Sequence, residues 1–214
     1  MDKLNEYLKN CSSYFLAEKS ATICFMKPGQ TICTKQIGDL ELLFRLPLES
    51  DAQAMMDYFN SISAEKTYIT YQGEHIALEY EQEYLGNLAE KMEKNEKTII
   101  QAWSDSELVG LLDIRGEERT DRHKVSLGIT VKKEFRGLGI GKTLLKVALD
   151  FIKAEMPHVK IVWLTVFGNN QRAMHLYQQL GFKEFGRLPR GSTYREQYVD
   201  QFYMYLDVDS SNST

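Results

Sequence analysis

The chain has 214 residues, of which 43% are hydrophobic and 26% charged, and its formal net charge at pH 7 is −4. This length suits one domain with an appendage, and the composition is that of a globular protein with a sizeable buried core. The acidic balance argues against a nucleic-acid-binding protein, which normally carries a basic face, and it is compatible with a cationic partner such as an amine.

The N-terminal residues carry charges throughout and contain no apolar run of signal-peptide length, which argues against secretion. No run in the sequence reaches the roughly 18 apolar residues of a membrane-spanning helix. The three cysteines, Cys11, Cys24 and Cys33, have spacings that fit neither a disulfide framework nor a zinc site. We therefore expect a cytoplasmic protein with reduced cysteines, no bound metal and no membrane attachment.

The first part of the chain predicts an appendage to the main domain. Residues 3–16 have a weakly helical pattern, and the β-rich runs Ala21–Met26 and Thr31–Gln36 follow, divided by the turn signal KPGQ. Two short strands are poorly stable alone. We therefore expect residues 1–38, a helix plus hairpin-like runs, to pack on the main domain or on a second subunit.

The next predicted elements are a strand and two helices. Leu40–Leu46 predicts the strand, and Asp51 is placed to cap the helix that follows it. Tyr68–Tyr71 is expected to be short and extended. The leucine spacing among the charges of Ala77–Glu96 predicts an amphipathic helix, which Gly86 weakens.

The second half alternates strands and helices. The run KTIIQAWSDSELVGLLDIRG predicts two strands around a Ser-Asp-Ser turn, and Lys124–Val131 predicts a third. A glycine-rich loop leads to a helix over Lys142–Met156, a buried strand over Val159–Val166 and a helix from Asn170 to Gly181. Two closing strands complete a mixed α/β domain.

The glycine-rich stretch FRGLGIGKT resembles two phosphate-binding motifs without matching either of them. A P-loop of the form G-x-x-x-x-G-K-[ST] requires a glycine at the position of Arg136. The dinucleotide motif G-x-G-x-x-G requires a glycine at the position of Lys142. A nucleotide-binding enzyme of the P-loop class is therefore disfavoured.

The order strand, glycine loop, helix nevertheless predicts an anion site. The first backbone N–H groups of the helix have no partner within the helix, and glycines let a ligand approach them closely. The helix dipole favours an anion there, and Arg136 and Lys142 add positive charge. A diphosphate is the natural ligand, whereas the structural alternative is a tight connection that binds nothing.

Two linked motifs resemble the GNAT superfamily of N-acetyltransferases. Arg136–Gly141 is similar to its R-x-x-G-x-G signature, and the residues from Asn170 to Phe182 are similar to its N-x-x-A-x-x-L-Y-x-x-x-G-F pattern. The resemblance covers roughly Leu40 to Val208. Asp200 and Met204 in the closing segment resemble the branch that includes ribosomal-protein and polyamine acetyltransferases.

The resemblance implies an α/β (α+β) fold of the GNAT type for residues 39–208, followed by a disordered tail over 209–214. Its central sheet is mixed and mostly antiparallel, it is splayed between the family's fourth and fifth strands, and helices cover both faces. Acetyl-CoA is the implied cosubstrate, and no metal is implied.

The implied acetyl-CoA contacts fall on three segments. The pyrophosphate would be bound by the loop and helix start, formed by Arg136, Gly137, Leu138, Gly139, Ile140, Gly141 and Lys142. The backbone of Ile129 and Val131 would pair with the pantetheine arm, and the N–H near Val131 would polarise the thioester carbonyl. Asn170 would bind the arm as well, although an N-cap role alone also accounts for it.

Tyr177 stands at the position of the family's general acid, which protonates the departing thiolate. The alternative is a tyrosine that only packs its ring. The residue that takes a proton from the amine is left open. His123 stands near a position where some family members have a catalytic glutamate, and the alternative for it is a solvated loop histidine. Three acids lie in the segment that usually forms the acceptor side, where they are candidates for binding a cationic amine or are simply solvated: Glu74, Glu79 and Glu81.

The resemblance therefore implies an N-acetyltransferase that moves an acetyl group from acetyl-CoA to a primary amine of a small molecule or peptide by direct attack. A non-catalytic acyl-CoA-binding or sensing module on the same fold is the alternative. The expected partner is an amine acceptor, without nucleic acid or membrane, and a homodimer is left open.

Overall fold

A computed structural model describes residues 26–209. The strands, in chain order, are β1 (Thr31–Ile37), β2 (Leu40–Arg45), β3 (Lys97–Ser104), β4 (Glu107–Gly116), β5 (Lys124–Val131), β6 (Ile161–Phe167), β7 (Lys183–Tyr194) and β8 (Gln197–Asp207). The helices are α1 (Ala52–Ser63), α2 (Leu78–Gly86), α3 (Leu88–Glu93), α4 (Ile140–Glu155) and α5 (Gln171–Gln179). The helix expected over 3–16, and Ala21–Met26 except for its last residue, lie outside the described residues.

The eight strands form one mixed sheet in the order β1-β2-β3-β4-β5-β6-β8-β7. All neighbours are antiparallel except β5 and β6, which are parallel. Their pairing runs only from Lys124 with Ile161 to Ser126 with Trp163, and the strands diverge beyond that point. Since the resemblance begins at β2, β5 and β6 are its fourth and fifth strands, so the expected splay is confirmed.

The boundary expected at residue 38 falls inside a β-hairpin. β1 pairs with β2 from Thr31 opposite Arg45 to Ile37 opposite Leu40, and Ile32 is buried in the core. The run at 31–36 is therefore the edge strand of the central sheet rather than part of an appendage. Strand β2 supplies the backbone hydrogen bonds that keep this short run in a strand.

Helices cover both faces of the sheet, as expected. The buried Tyr58 of α1 donates a hydrogen bond from its hydroxyl to Thr130 at 2.9 Å. Leu144 of α4 packs against Gly110, which pairs with Val131. Because Thr130 and Val131 are successive residues of β5, their side chains point to opposite faces. Helices α1 and α4 therefore lie on opposite sides of the sheet.

The segment between α1 and β3 differs from its prediction in two ways. Tyr68–Tyr71 belongs to an irregular loop, and the single helix expected over Ala77–Glu96 is broken into α2 and α3 at Asn87. Gly86 and Asn87 are weak helix formers, which accounts for the break. The loop is fixed because the side-chain amide of Asn60 binds both the N–H and the C=O of Ile76, at 2.8 and 3.0 Å.

Asp51 precedes α1 but does not cap it. Its carboxylate accepts hydrogen bonds from the guanidinium of Arg45, at 2.6 and 2.7 Å, and from the N–H of Leu48 at 2.8 Å. The predicted capping role of Asp51 was therefore wrong, because the guanidinium on the adjacent strand takes its carboxylate.

Candidate active site

A cleft of about 1260 Å³ opens where β5 and β6 diverge. One wall consists of β5 and the start of α4, and the opposite wall consists of β6 and α5. The loop over 67–72, between α1 and α2, covers the part of the cleft that extends over β3 and β4. The splay thus creates a continuous cavity that reaches from the glycine loop to helix α2.

The hydrogen-bond pattern of β5 determines which backbone groups face the cleft. The N–H of Lys132 donates to the C=O of Val109 at 2.9 Å, and in an antiparallel pair the bonded positions alternate. Thr130 and Gly128 therefore bond to β4, whereas the N–H and C=O groups of Ile129 and Val131 point toward β6. Beyond Ser126, where β5 no longer pairs with β6, Ile129 and Val131 border the cleft. These are the positions at which the family resemblance implies pairing with the cosubstrate.

The glycine loop, residues 136–142, bends through two left-handed backbone positions. Gly137 and Gly139 have φ angles of +93° and +94°, which side-chain-bearing residues rarely adopt. Gly139 is the N-cap of α4, and its C=O accepts the first helical hydrogen bond from Thr143 at 3.0 Å. The helix start at Ile140 and Gly141 consequently lines the cleft with backbone N–H groups suited to an anion.

Arg136 is paired with a carboxylate. Its guanidinium forms two hydrogen bonds with Glu65, at 2.6 and 2.8 Å, and its Nε donates to the C=O of Val131 at 2.8 Å. The charge of Arg136 is therefore balanced by Glu65 in this arrangement, and its contact with the ligand stays a prediction. The residue fixes the loop to the end of β5 and to the segment after α1.

Two other predicted loop residues differ in their surroundings. Lys142 lines the cleft, and its Nζ donates to Oε1 of Gln179 in α5 at 3.2 Å. Leu138 is 49% exposed and is not part of the cleft wall. The other ten predicted site residues line the cleft.

Helix α5 brings Asn170 and Tyr177 to the opposite wall. The side-chain oxygen of Asn170 accepts a hydrogen bond from the N–H of Ala173 at 3.2 Å, so the N-cap interpretation is confirmed. Tyr177 is 7% exposed, and its ring packs 5.9 Å from that of Phe182. Burial raises the pKa of Tyr177 to about 12, so its phenol stays protonated at neutral pH.

The far end of the cleft is a pocket with aromatic walls, which we call the tyrosine pocket. Its lining comes from the loop before α2, from α2 itself and from β3 and β4, and it includes Tyr71, Tyr80, Glu81, Tyr84, Lys97 and Asp113. Tyr80 and Tyr84 are stacked with centroids 6.5 Å apart, and the Lys97 ammonium lies 4.7 Å from the centroid of the Tyr84 ring.

The candidate proton acceptors occupy different environments. His123 is exposed and outside the cleft wall, Glu79 is exposed, and the carboxylate of the exposed Glu74 binds the N–H of Gln72. Glu81 alone of these four lines the cleft, and it is only 2% exposed.

Residues 52–182 match the Acetyltransferase (GNAT) family. The chain belongs to that family. The match covers both motifs that carried the resemblance, the glycine loop and the segment from Asn170 to Phe182. The recognition of a GNAT member from the sequence is therefore confirmed.

Two curated relatives match parts of this GNAT chain. It is 30% identical over 88 residues to the L-amino acid N-acyltransferase MnaT of Escherichia coli (strain K12), covering 41% of this chain and 50% of that protein. It is 38% identical over 58 residues to the probable spermine N(1)-acetyltransferase of Bacillus subtilis subsp. natto (strain BEST195), covering 27% of this chain and 38% of that protein. The chain thus spans half or less of the length of each relative.

A solved structure shares the GNAT fold over nearly its whole length. The acetyltransferase of GNAT family from Streptococcus pneumoniae has a TM-score of 0.71 and 26% sequence identity to this chain, covering 78% of this chain and 99% of that one. The expected fold class is therefore confirmed.

Sequence reasoning missed a cation that lies beside the glycine loop of the GNAT cleft. Arg172 lies on the first turn of α5 and lines the cleft, and its Nη2 is 3.7 Å from the point that a Cβ on Gly137 would occupy. It thus lies beside the glycine loop without belonging to it. Its position two residues after Asn170, on a helix that faces the loop, was the signal available in the sequence.

Two general features of the described residues also concern the site. Among residues 26–209, no three His, Cys, Asp or Glu side chains are grouped so that they could bind a metal ion. Over the same range, each helix is too short or too polar to cross a membrane.

Proposed function

We propose that this protein transfers the acetyl group of acetyl-CoA to a primary amine of a small molecule or peptide by direct attack. One observation carries the proposal: a single cleft joins the helix N-terminus at the glycine loop, the free edge of β5 and the phenol of Tyr177. An anion, an extended amide-bearing arm and a leaving group that needs a proton are the three ligand features that these elements fit.

The cosubstrate contacts follow the order of these elements along the cleft. The pyrophosphate binds the backbone N–H groups from Gly137 to Lys142, with Arg172 beside them. Leu138 contributes backbone only, because its side chain is exposed. The pantetheine arm pairs with the backbone of Ile129 and Val131 as an added strand would, and Asn170 faces it from the other wall.

The chemistry requires a polarised carbonyl and a proton for sulfur. The N–H of Val131 donates to the thioester oxygen, where negative charge develops during attack. The amine attacks the carbonyl carbon with its lone pair, the carbon–sulfur bond breaks, and sulfur keeps the bonding electrons. Tyr177 gives its proton to the thiolate, and the proton that nitrogen loses on forming the amide replaces it.

The relatives support the reaction class and two kinds of acceptor. Their names describe acyl transfer to the nitrogen of L-amino acids in one case and of spermine in the other. L-amino acids and spermine both carry a primary amino group that is protonated at neutral pH, which agrees with the acceptor class proposed for this chain.

Several expectations remain predictions. We propose a cytoplasmic location, independence from nucleic acid and membranes, and either a monomer or a homodimer. We also propose that residues 1–25, which lie outside the described residues, pack on the main domain or on a second subunit.

The direct test is thiol release from acetyl-CoA in the presence of a panel of amines, combined with thermal unfolding. Acetyl-CoA is expected to raise the Tm because it binds the folded state, and at least one amine is expected to accelerate thiol release over hydrolysis. Binding of CoA without transfer to any amine of a broad panel would favour the sensing module. No shift in Tm and no heat of binding would contradict the cosubstrate assignment.

A further inference from the structure

We propose that Glu81 binds the ammonium group of the acceptor and takes its proton before the amine attacks the thioester. This inference rests on the proposed function, and it assigns the proton acceptor that the sequence left open. It also identifies the tyrosine pocket as the acceptor site.

The first observation is a buried carboxylate oxygen without a partner. Among the residues that the structure describes, Oε2 of Glu81 is one of two buried side-chain polar atoms that lack a hydrogen-bond partner, the other being Nε2 of Gln101. Leaving such an atom unpaired costs stability, so its retention calls for an explanation. The three N–H donors of a primary ammonium group would satisfy it.

The second observation is the place of Glu81 on its helix. Leu78, Glu81 and Leu85 are spaced by three and four residues, so they share one face of α2, and Leu85 is buried. A carboxylate therefore interrupts the apolar stripe by which α2 packs on the domain. Glu81 also lines the cleft. Its position on the core-facing side of α2 therefore places a carboxylate at the cavity.

The walls around Glu81 suit a cationic ligand. Tyr71, Tyr80 and Tyr84 line the same pocket, and aromatic rings attract an ammonium group. The neighbouring cation, Lys97, lies over the ring of Tyr84 and forms no ion pair within 4.0 Å in the described part of the chain. The carboxylate of Glu81 likewise forms no ion pair within 4.0 Å among the described residues.

The pocket is continuous with the β5 edge where the thioester is expected. Asp113 of β4 pairs with Gly128 of β5, and its Oδ1 lies 2.3 Å from the point that a Cβ on Gly128 would occupy. Only a glycine leaves room for this carboxylate over the strand. Gly128 directly precedes Ile129, so the pocket that contains Glu81 reaches the strand position beside the expected acetyl group.

The electrostatic surroundings permit proton transfer near neutral pH. Burial raises the pKa of Glu81 to about 7, against an opposing effect of the Lys97 charge. The other charged or titratable groups that line this end of the cleft are Tyr71, Tyr80, Tyr84, Asp113 and Arg115. Burial also raises the pKa of Tyr71 and of Tyr84, so both remain neutral, and Arg115 is paired with Asp113.

The proton balance is as follows. Ionised Glu81 accepts one proton from the bound ammonium, which leaves a neutral amine with a lone pair. That lone pair forms the new carbon–nitrogen bond, and the carbon–sulfur bond breaks with its electrons on sulfur. Tyr177 protonates the sulfur and recovers a proton from the nitrogen, and Glu81 returns its own proton to solvent after the product leaves.

The test compares Glu81→Gln with Glu79→Gln, an exposed acid in the same first turn of α2. The probes are n-butylamine, tyramine and 1,4-diaminobutane, with thiol release followed from pH 5.5 to 10. Circular dichroism and acetyl-CoA affinity establish that each variant is folded and that its cosubstrate site is intact. Glu79→Gln is expected to behave as wild type.

The pH profiles distinguish the assigned role from a structural one. In wild type, kcat/KM should rise through about pH 7 and then level off, because the ionised Glu81 accepts the cationic amine. In Glu81→Gln only the neutral amine can react, so kcat/KM should rise roughly tenfold per pH unit up to about pH 10, where amines of this kind titrate. The deficit should be about 100-fold or more near pH 7 and should shrink toward pH 10.

Each outcome decides the assignment. A Glu81→Gln protein with wild-type kcat/KM and profile contradicts the role of Glu81 and leaves acetyl transfer intact. A wild-type kcat/KM profile that does not rise near pH 7 contradicts the role of Glu81 without any variant. If wild type transfers to none of the probes, the same amines are titrated calorimetrically into the CoA complex. Binding that Glu81→Gln abolishes supports the acceptor site and rejects acetyl transfer. Absence of binding rejects both the acceptor site and acetyl transfer.

Discussion

The glycine-loop end of the cleft is formed mainly by backbone, whereas the tyrosine pocket at the other end is formed by side chains. At the first end, two glycines with positive φ and one helix N-terminus form the proposed anion site. At the second, a loop, α2, β3 and β4 each contribute one or more side chains. A site formed by backbone groups suits the part of a ligand that is the same in every reaction. A site formed by side chains can bind a different ligand when those side chains are substituted. We therefore expect variants at the two ends to separate cosubstrate affinity from acceptor chemistry.

The largest expected effect is on the backbone end. Gly139→Val should weaken acetyl-CoA binding by about 100-fold or more, because a β-branched residue cannot adopt φ near +94° without distorting the helix start. Calorimetry measures the affinity. Gly38→Val is the control, since Gly38 also has a positive φ, +59°, but lies in the β1–β2 turn outside the cleft wall. Equal losses in both variants would show that strain alone was measured.

Tyr177→Phe separates chemistry from binding. Removing the hydroxyl should lower kcat by about 100-fold while the acetyl-CoA affinity changes little, because the proton is needed only as sulfur gains charge. Steady-state kinetics with any accepted amine give the two parameters. The control is Tyr198→Phe, which removes an exposed hydroxyl outside the cleft. An unchanged kcat would leave Tyr177 as a packing residue.

A third prediction concerns the free energy of unfolding, which the buried Glu81 of the tyrosine pocket should lower. The pKa of Glu81 is raised from 4.5 to about 7, so the folded protein keeps this proton between those pH values while the unfolded chain loses it. Wild-type stability should therefore fall as the pH rises from 4.5 to 7 and change no further through this group above pH 7. Glu81→Gln lacks this dependence, so it should be more stable than wild type by up to about 3 kcal/mol above pH 7 and nearly equal below pH 4.5.

Urea unfolding at pH 4.5, 6 and 8 measures this difference. A variant that gains stability while it loses activity near pH 7 indicates a carboxylate kept for function. A Glu81→Gln protein that is less stable than wild type at pH 8 would instead indicate a carboxylate that stabilises the fold.

The smallest expected effect concerns Arg172, whose side chain lies beside the glycine loop. Arg172→Gln should weaken acetyl-CoA binding by about tenfold, and the difference should shrink at high salt as the charge is screened. Arg122→Gln removes the same charge from an exposed position outside the cleft and serves as the control. Identical affinities and salt dependence in both variants would remove Arg172 from the site.

The two ends also differ in how far the sequence could predict them. Glycine spacing and a following helix are local properties, so the loop, the splay and ten cleft-lining residues were predictable from the two motifs. Glu81 was one of three acids in its segment, and only the orientation of α2 against the sheet decides which one is buried. Asp113 and Gly128 meet through strand pairing between β4 and β5, which no local pattern records.

The misplaced boundary at residue 38 has a similar cause. The run Thr31–Gln36 was correctly predicted as β-rich, but its partner, β2, begins after a turn at Gly38 and Asp39. The family pattern begins at β2, so a strand added before it resembled an appendage. The ion pair of Arg136 could not be predicted either, because its partner, Glu65, lies far away in the sequence and reaches it only through the packing of α1.

The divergence of β5 and β6 at Trp163 gives the protein an intrinsic optical probe. The sequence contains two tryptophans. Trp163 stands at the last position of β6 that pairs with β5, and it lines the cleft. Trp103 is 8% exposed and lies outside the cleft, with the Arg45 guanidinium 4.6 Å from its ring centroid. Indole emission depends on local polarity, so ligand entry should change the signal of Trp163 and leave that of Trp103 as a constant background. A fluorescence titration of the unlabelled chain would therefore follow the filling of the cleft, with Trp163→Phe as its blank.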